Sequence, residues 1–128
     1  MTGKEYVNLA SKTNDGNSTA RLTAEINVSE CFLYPKDFGG VINACLGLSG
    51  EVGEFNDMIK KWIFHEKEFD EVHAKKELGD IMWYIALMCK SFDWDLDEIL
   101  QRNIDKLAKR YPEGFDPEKA NNRDKDDI

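Results

Sequence analysis

Apolar residues recur along this chain at steps of three and four, which is the period of an α-helix and not the alternation of a β-strand. The longest such pattern runs from about Phe38 to Phe64 and repeats every seven residues along one stripe. A stripe of this kind predicts a packed antiparallel helix as its partner. Its members are Val41, Cys45, Leu48, Val52, Phe55, Ile59 and Trp62.

Three further segments carry helical patterns. Residues 2–12 suit a short first helix, Asp70 suits the N-cap of a helix that reaches about Ser91, and Asp95 suits the N-cap of a helix over about 96–111. We therefore predict an all-α fold, an antiparallel helical bundle of about four main helices.

The chain has 128 residues, which suits one domain with one hydrophobic core. We place that domain at residues 1–115, with a loop-rich connection over 13–36 that holds at most a helical turn near Leu22 to Ile26. Residues 116–128 are polar, and we expect a loosely held tail there. The segment Ile81–Cys89 is apolar on all sides. The small number of helices in one chain is not enough to bury it. We therefore expect oligomerisation to complete the bundle, as a homodimer at least.

Two pairs of acidic residues stand beside these apolar stripes. Glu51 and Glu54 lie three apart on the second helix, and Glu77 and Asp80 lie three apart on the third. Residues three apart share one face of a helix. The short connection over 65–69 makes the two helices antiparallel neighbours, so both pairs reach the same height. The spacing therefore predicts that four carboxylates converge.

Converging carboxylates in a partly dry site are unfavourable unless something neutralises them. A hard divalent cation does so well, and Mg²⁺ prefers oxygen ligands and often completes its shell with phosphates. The pattern thus predicts a metal-bridged polyphosphate site. The alternative is a helical binding or assembly protein in which the acids form an inert polar network, a structural ion site or a charged surface.

A phosphate ligand also needs cations from the protein. Lys61 ends the second helix, and Asn103, Lys106 and Arg110 lie on one stripe of the fourth. Lysine binds phosphate as a point charge, and arginine can donate to two oxygens at once. Tyr84 is a candidate for stacking on a base. The simpler interpretation is a solvated basic stripe and a core tyrosine.

The net charge of −8 argues against direct binding to a nucleic acid. No apolar run is long enough to span a membrane, and no apolar signal segment opens the chain, so a cytoplasmic location is expected. The three cysteines lack metal-site spacing. His65 and His73 fall outside the ExxH and HExxH patterns of di-iron and zinc sites.

Three stretches together resemble the MazG-type nucleotide pyrophosphohydrolases of the all-α NTP pyrophosphatase superfamily, over about residues 41–115. They are "LGLSGEVGEFNDMIKK", "KKELGDIMWYIA" and "NIDKLAKRYPEGF". The resemblance implies a helical bundle assembled as a dimer or a dimer of dimers. It also implies Mg²⁺-dependent hydrolysis of (d)NTPs to the monophosphate and pyrophosphate, with Mn²⁺ as an alternative ion. A related activity, on phosphoribosyl-ATP, is the alternative within the superfamily.

Carried over by motif, the resemblance implies that the four acids are metal ligands. It also implies that Asn103 and Lys106 contact the nucleotide and that Tyr84 occupies an aromatic position. Gly50 departs from the pattern, because many relatives have Glu there. For the reaction, we expect Glu51 or Glu54 to act as the base, and Lys106 and Arg110 to help pyrophosphate leave. The four acids that the resemblance implies as metal ligands are Glu51, Glu54, Glu77 and Asp80.

Overall fold

The computed structural model describes residues 2–12, 16–17, 20–22, 24 and 37–123, and no strand occurs within them. The predicted all-α class is confirmed. Most of the predicted loop over 13–36 lies outside the described residues, although residues 17, 20–22 and 24 are helical. The helices with described bounds are α1 (Gly3–Ser11), α2 (Phe38–Phe64), α3 (Glu71–Phe92), α4 (Leu96–Arg110) and α5 (Pro117–Asn121).

Short acidic side chains fix where the central helices begin. Asp70 precedes α3 and accepts a hydrogen bond from the backbone N–H of His73 at 2.9 Å. Asp95 precedes α4 and accepts one from the backbone N–H of Asp97 at 2.9 Å. Each bond satisfies a backbone donor that has no partner within its own helix. Both predicted N-caps are therefore confirmed.

The connection between α2 and α3 is short and tightly closed. The backbone N–H groups of His65 and Lys67 both donate to the carbonyl oxygen of Lys61, at 3.1 and 3.2 Å. Glu66 adopts a left-handed backbone with φ of 52°. This closure reverses the chain, and α3 returns antiparallel along α2, the one helix pair with extensive contact among the described residues.

Small residues of α2 form the surface that meets α3. Ala44 is completely buried. A Cβ atom added to Gly47 would lie 2.1 Å from ring atoms of Tyr84, and one added to Gly40 would lie 2.2 Å from the Ser91 hydroxyl. From Gly40 to Gly47, α2 advances seven residues, and the contacting residue on α3 moves back by seven, from Ser91 to Tyr84. This is the register of an antiparallel pair. The glycines allow the two backbones to approach closely at these levels.

The predicted seven-residue apolar stripe does not make this contact alone. Val52 and Trp62 keep 40% and 49% of their surface exposed. The face of α2 toward α3 is centred instead on Ala44 and Gly47, because small side chains let the helices approach more closely than the branched residues of the stripe would. Part of the apolar stripe, including Val52 and Trp62, therefore stays exposed to solvent.

The C-terminal segment, where the sequence predicts a loosely held tail, contains one short helix. Residues Pro117–Asn121 form the short helix α5. Asp116 caps it by accepting a hydrogen bond from the backbone N–H of Glu118 at 2.9 Å. An acidic N-cap followed by proline at the first helical position favours helix initiation in a polar segment.

None of the helices in the described parts of the chain combines the length and the hydrophobicity that crossing a lipid bilayer requires.

Candidate active site

The antiparallel register brings together acids from both helices of the hairpin. Glu51 of α2 and Glu77 and Asp80 of α3 each offer one carboxylate oxygen, and these oxygens all lie within 4.8 Å of one another. Glu51 follows Gly47 by one turn, and Asp80 precedes Tyr84 by one turn, so the close Gly47–Tyr84 contact lies one helical turn from the acids. We call Glu51, Glu77 and Asp80 the acidic cluster.

Glu77 is the most buried member of the acidic cluster, with only 6% of its surface exposed. Its Oε1 atom lies 2.7 Å from Nε2 of His73. Its Oε2 atom is buried and has no hydrogen-bond partner among the described residues. A buried carboxylate oxygen without a donor is costly, by about 1–3 kcal/mol or more for a charged group. Such an oxygen beside two more carboxylates fits a Mg²⁺ ion, which takes oxygen ligands.

The pKa of Glu51 is raised above the ordinary glutamate value. Partial burial is the largest cause, and the negative charges of Glu54, Asp80 and Glu77 act in the same direction. When Glu51 is protonated, its hydroxyl also donates a hydrogen bond to Glu77, which favours the neutral form. Repulsion among like charges of this kind is what a bound cation would remove.

Glu54 lies outside the acidic cluster, although its charge still raises the pKa of Glu51. Its side chain is exposed and lines a cavity of about 420 Å³ at the hairpin end of α2 and α3. The structure therefore gathers three of the four predicted acids and places the fourth beside them. The cavity is also lined by Gly50, Gly53, Asp57, Met58, Lys61, Lys67, Glu68, Phe69, Asp70 and His73.

Lys61 and Tyr84 occupy different surroundings. Lys61 lines the cavity, and its Nζ atom lies 2.5 Å from Oδ2 of Asp57. That pairing lowers the pKa of Asp57. Tyr84 is half-buried with its ring against Gly47, and it meets Trp83 edge to face at 4.9 Å between ring centroids. Tyr84 thus packs between the helices, one turn away from Asp80.

The candidate phosphate-binding residues of α4 do not join the acids within this chain. Asn103 and Lys106 are exposed, and α4 makes only slight contact with the other described helices. Arg110 is half-buried and lies over the ring of Tyr111, 5.7 Å from its centroid. In the described part of the chain, the acidic cluster and the α4 stripe are separate surfaces.

A MazG nucleotide pyrophosphohydrolase domain matches residues 42–115, which is more than half of the chain and contains all of these acids. The chain belongs to the MazG family. The Gene 37 protein of Mycobacterium phage L5 is similar to it, with 31% identity over 110 residues that cover 77% of this chain and 95% of that protein. No solved structure matches the chain.

Sequence reasoning missed one residue beside the acidic cluster. His73 contacts Glu77 directly and lines the cavity. The available signal was its position four residues before Glu77 on the same helix, because residues four apart are neighbours on a helix surface. The ExxH and HExxH patterns describe histidine as a direct metal ligand, so they do not detect a histidine that contacts the carboxylate of Glu77.

Proposed function

We propose that this MazG protein is a Mg²⁺-dependent nucleoside triphosphate pyrophosphohydrolase, which converts a (d)NTP and water to a (d)NMP and pyrophosphate. The observation that carries the proposal is the acidic cluster with the unpaired, buried Oε2 atom of Glu77. Glu51, Glu77 and Asp80 would hold the ion. Bound Mg²⁺ supplies positive charge that offsets the charge developing on the phosphate oxygens.

Glu54 is our candidate for the general base. It stands one turn after Glu51, outside the acidic cluster and at the cavity wall, so its carboxylate is placed to accept a proton from a water molecule in the cavity. As that proton leaves, the water oxygen bonds to the α-phosphorus. The bond from the α-phosphorus to the bridging oxygen breaks, and pyrophosphate departs with the electron pair.

The cavity beside Glu54 is our candidate site for the substrate, with Lys61 at its wall to neutralise phosphate charge. The α4 residues Asn103, Lys106 and Arg110 would contribute from a second copy of the chain, since α4 makes only slight contact with its own hairpin. Arg110 and Lys106 would then balance the charge of the departing pyrophosphate.

The assembly that we propose is a homodimer or a dimer of dimers. The buried apolar side chains of the described residues are only Ala44, Ala74 and Cys89. Large apolar residues of α3 remain about half exposed, and so do those of α4. Exposed apolar surface of this extent is typical of a protein–protein interface. The α3 residues are Leu78, Met82 and Trp83, and the α4 residues are Leu100 and Ile104.

The test is pyrophosphate release from a panel of (d)NTPs, with phosphoribosyl-ATP as a further substrate and Mg²⁺ present or removed by chelation. We expect Mg²⁺-dependent release, and a loss in Asp80→Asn that exceeds the roughly 10–100-fold typical of outer-shell partners. Glu71→Gln is the control, because Glu71 is an exposed acid of the same helix. A protein that neither turns over these substrates nor binds nucleotide with Mg²⁺ would instead be a non-catalytic helical binding or assembly protein.

A further inference from the structure

We propose that His73 is a positioning residue that holds the Glu77 carboxylate in its metal-binding orientation. The inference rests on the proposed function, since it requires that the acidic cluster hold a divalent ion. His73 contacts Oε1 of Glu77, whereas Oε2 has no hydrogen-bond partner among the described residues and is the oxygen that we assign to the ion. His73 itself is not a member of the acidic cluster.

Two hydrogen bonds position His73, one through its backbone and one through its side chain. Its N–H donates to Oδ1 of Asp70, the N-cap of α3, at 2.9 Å. From this first turn, the imidazole spans one helical turn to Glu77 with an Nε2–Oε1 distance of 2.7 Å. A carboxylate only accepts hydrogen bonds, so the Nε2–H group is the donor. Hydrogen bonds therefore hold both the backbone of His73 and the Nε2 atom of its ring.

The two partners differ strongly in burial. The side chain of His73 is 54% exposed, whereas that of Glu77 is 9% exposed. Replacing the imidazole therefore leaves no cavity in a packed core and should leave the fold intact. Losing the hydrogen bond instead acts on Glu77, which would remain buried with no donor from the described residues on either oxygen while Glu51 is ionised.

Electrostatics explain why Glu77 needs such a support. Its neighbours in the acidic cluster are Glu51 and Asp80, and their negative charges favour rotation of the Glu77 carboxylate away from them. A donor at Oε1 opposes that rotation before the ion arrives. Hydrogen-bond partners of metal ligands orient them in this way, and their loss typically weakens metal binding about 10–100-fold.

The experiment measures Mn²⁺ affinity by electron paramagnetic resonance in the full-length protein, without substrate. We expect His73→Leu to weaken Mn²⁺ binding by about 10–100-fold. His73→Gln should recover most of that loss, because a Gln amide can donate to a side chain four residues on. Lys75→Leu is the matched control, since it removes the exposed Lys75–Glu71 pair from the same end of α3 and should bind Mn²⁺ like the wild type.

A double-mutant cycle tests whether His73 acts through Glu77. Added to Glu77→Gln, the His73→Leu change should alter Mn²⁺ affinity by less than about twofold, because coupled residues are not additive. Full additivity would overturn the proposal. Loss of a nitrogen coupling to Mn²⁺ in His73→Leu would also overturn it, since the ring would then be a direct ligand.

The outcomes separate this inference from the proposed function. If the wild type binds Mn²⁺, Asp80→Asn weakens that binding and His73→Leu binds like the wild type, the positioning role is wrong and the metal site stands. If the wild type binds no Mn²⁺, both proposals are wrong. Thermal melts by circular dichroism accompany each variant, and the contrast between the leucine and glutamine variants distinguishes positioning from a general loss of stability.

Discussion

The ring of Tyr84 lies against the backbone of Gly47 so closely that a Cβ atom added there would fall 2.1 Å from its Cε1 and Cζ atoms. Glu51 stands one turn beyond Gly47 on α2, and Asp80 stands one turn before Tyr84 on α3. The packing contact and the acidic cluster are therefore adjacent levels of one helix pair. The distance between the helices at the acids depends on the absence of a side chain at residue 47.

Gly47→Ala should destabilise the protein and weaken its binding of Mg²⁺. Overpacking costs about 1–3 kcal/mol, and alanine's better helix propensity offsets at most about 1 kcal/mol of that. The helices must separate next to Glu51 and Asp80, so metal affinity should fall as well. Urea denaturation and Mg²⁺ titration by calorimetry measure the two effects.

Gly50→Ala is the control for this prediction. A Cβ atom there has no neighbour within 4 Å among the described residues. The variant should gain about 0.5–1 kcal/mol from reduced backbone entropy in the unfolded chain. Equal stability changes in Gly47→Ala and Gly50→Ala would contradict the close contact with Tyr84.

Local signals explain what the sequence could predict. The span of α2 and the caps Asp70 and Asp95 depend on neighbours within a few residues, and all were predicted. The height at which the acid pairs meet followed from the short connection. Which face of α2 meets α3 did not follow, because periodicity identifies an apolar stripe and not its partner. Here the close contact uses Ala44 and Gly47, which carry little hydrophobic signal.

The side-chain contacts of the site could not be predicted from the sequence for a related reason. Helical spacing put Glu51 and Glu54 on one face but could not show that Glu51 alone joins Glu77 and Asp80. The role that we propose for His73 depends on a single 2.7 Å contact. The partner that we propose for α4 is a second copy of the chain, and no period within one chain encodes such a contact.

Glu51→Gln should stabilise the metal-free protein at neutral pH. Because the pKa of Glu51 is raised, the folded state holds its proton more tightly than the unfolded state does. The free energy of unfolding therefore falls as the pH rises from the ordinary glutamate pKa through the raised one. The glutamine variant lacks this decline. Thermal melts in a chelator at mildly acidic and neutral pH measure the difference.

Mg²⁺ should reverse the order of stability in the Glu51 comparison. The ion needs ionised carboxylates, so its stabilising effect on the wild type should grow with pH. Glu51→Gln should gain much less from Mg²⁺. If the two proteins show the same pH dependence without metal, repulsion among Glu51, Glu77 and Asp80 is too weak to support the proposed site.

Glu54→Gln and Asp80→Asn should fail in different ways. Asp80 belongs to the acidic cluster and Glu54 does not. Asp80→Asn should therefore lose Mn²⁺ affinity, whereas Glu54→Gln should keep it and lose turnover by about 10²–10⁴-fold, as expected for a general base. Mn²⁺ titration and pyrophosphate release at saturating metal measure the split. Weak metal binding in Glu54→Gln would instead make Glu54 a ligand.

Met82→Glu should break the assembly. Met82 lies with Leu78 and Trp83 on α3, where about half of each residue's surface is exposed. A charge buried among apolar side chains of a second copy has no partner, and burying it would cost several kcal/mol. Sedimentation velocity should show at least two chains for the wild type and a shift toward one chain for the variant.

Asn43→Glu controls for the added charge, because Asn43 is an exposed polar residue of α2. It should sediment like the wild type. If α4 from a second copy supplies Asn103 and Lys106 to the acidic cluster, Met82→Glu must also lose turnover while each chain keeps its own Glu51, Glu77 and Asp80. A variant that sediments as one chain yet hydrolyses (d)NTPs at the wild-type rate would place the whole site within a single hairpin.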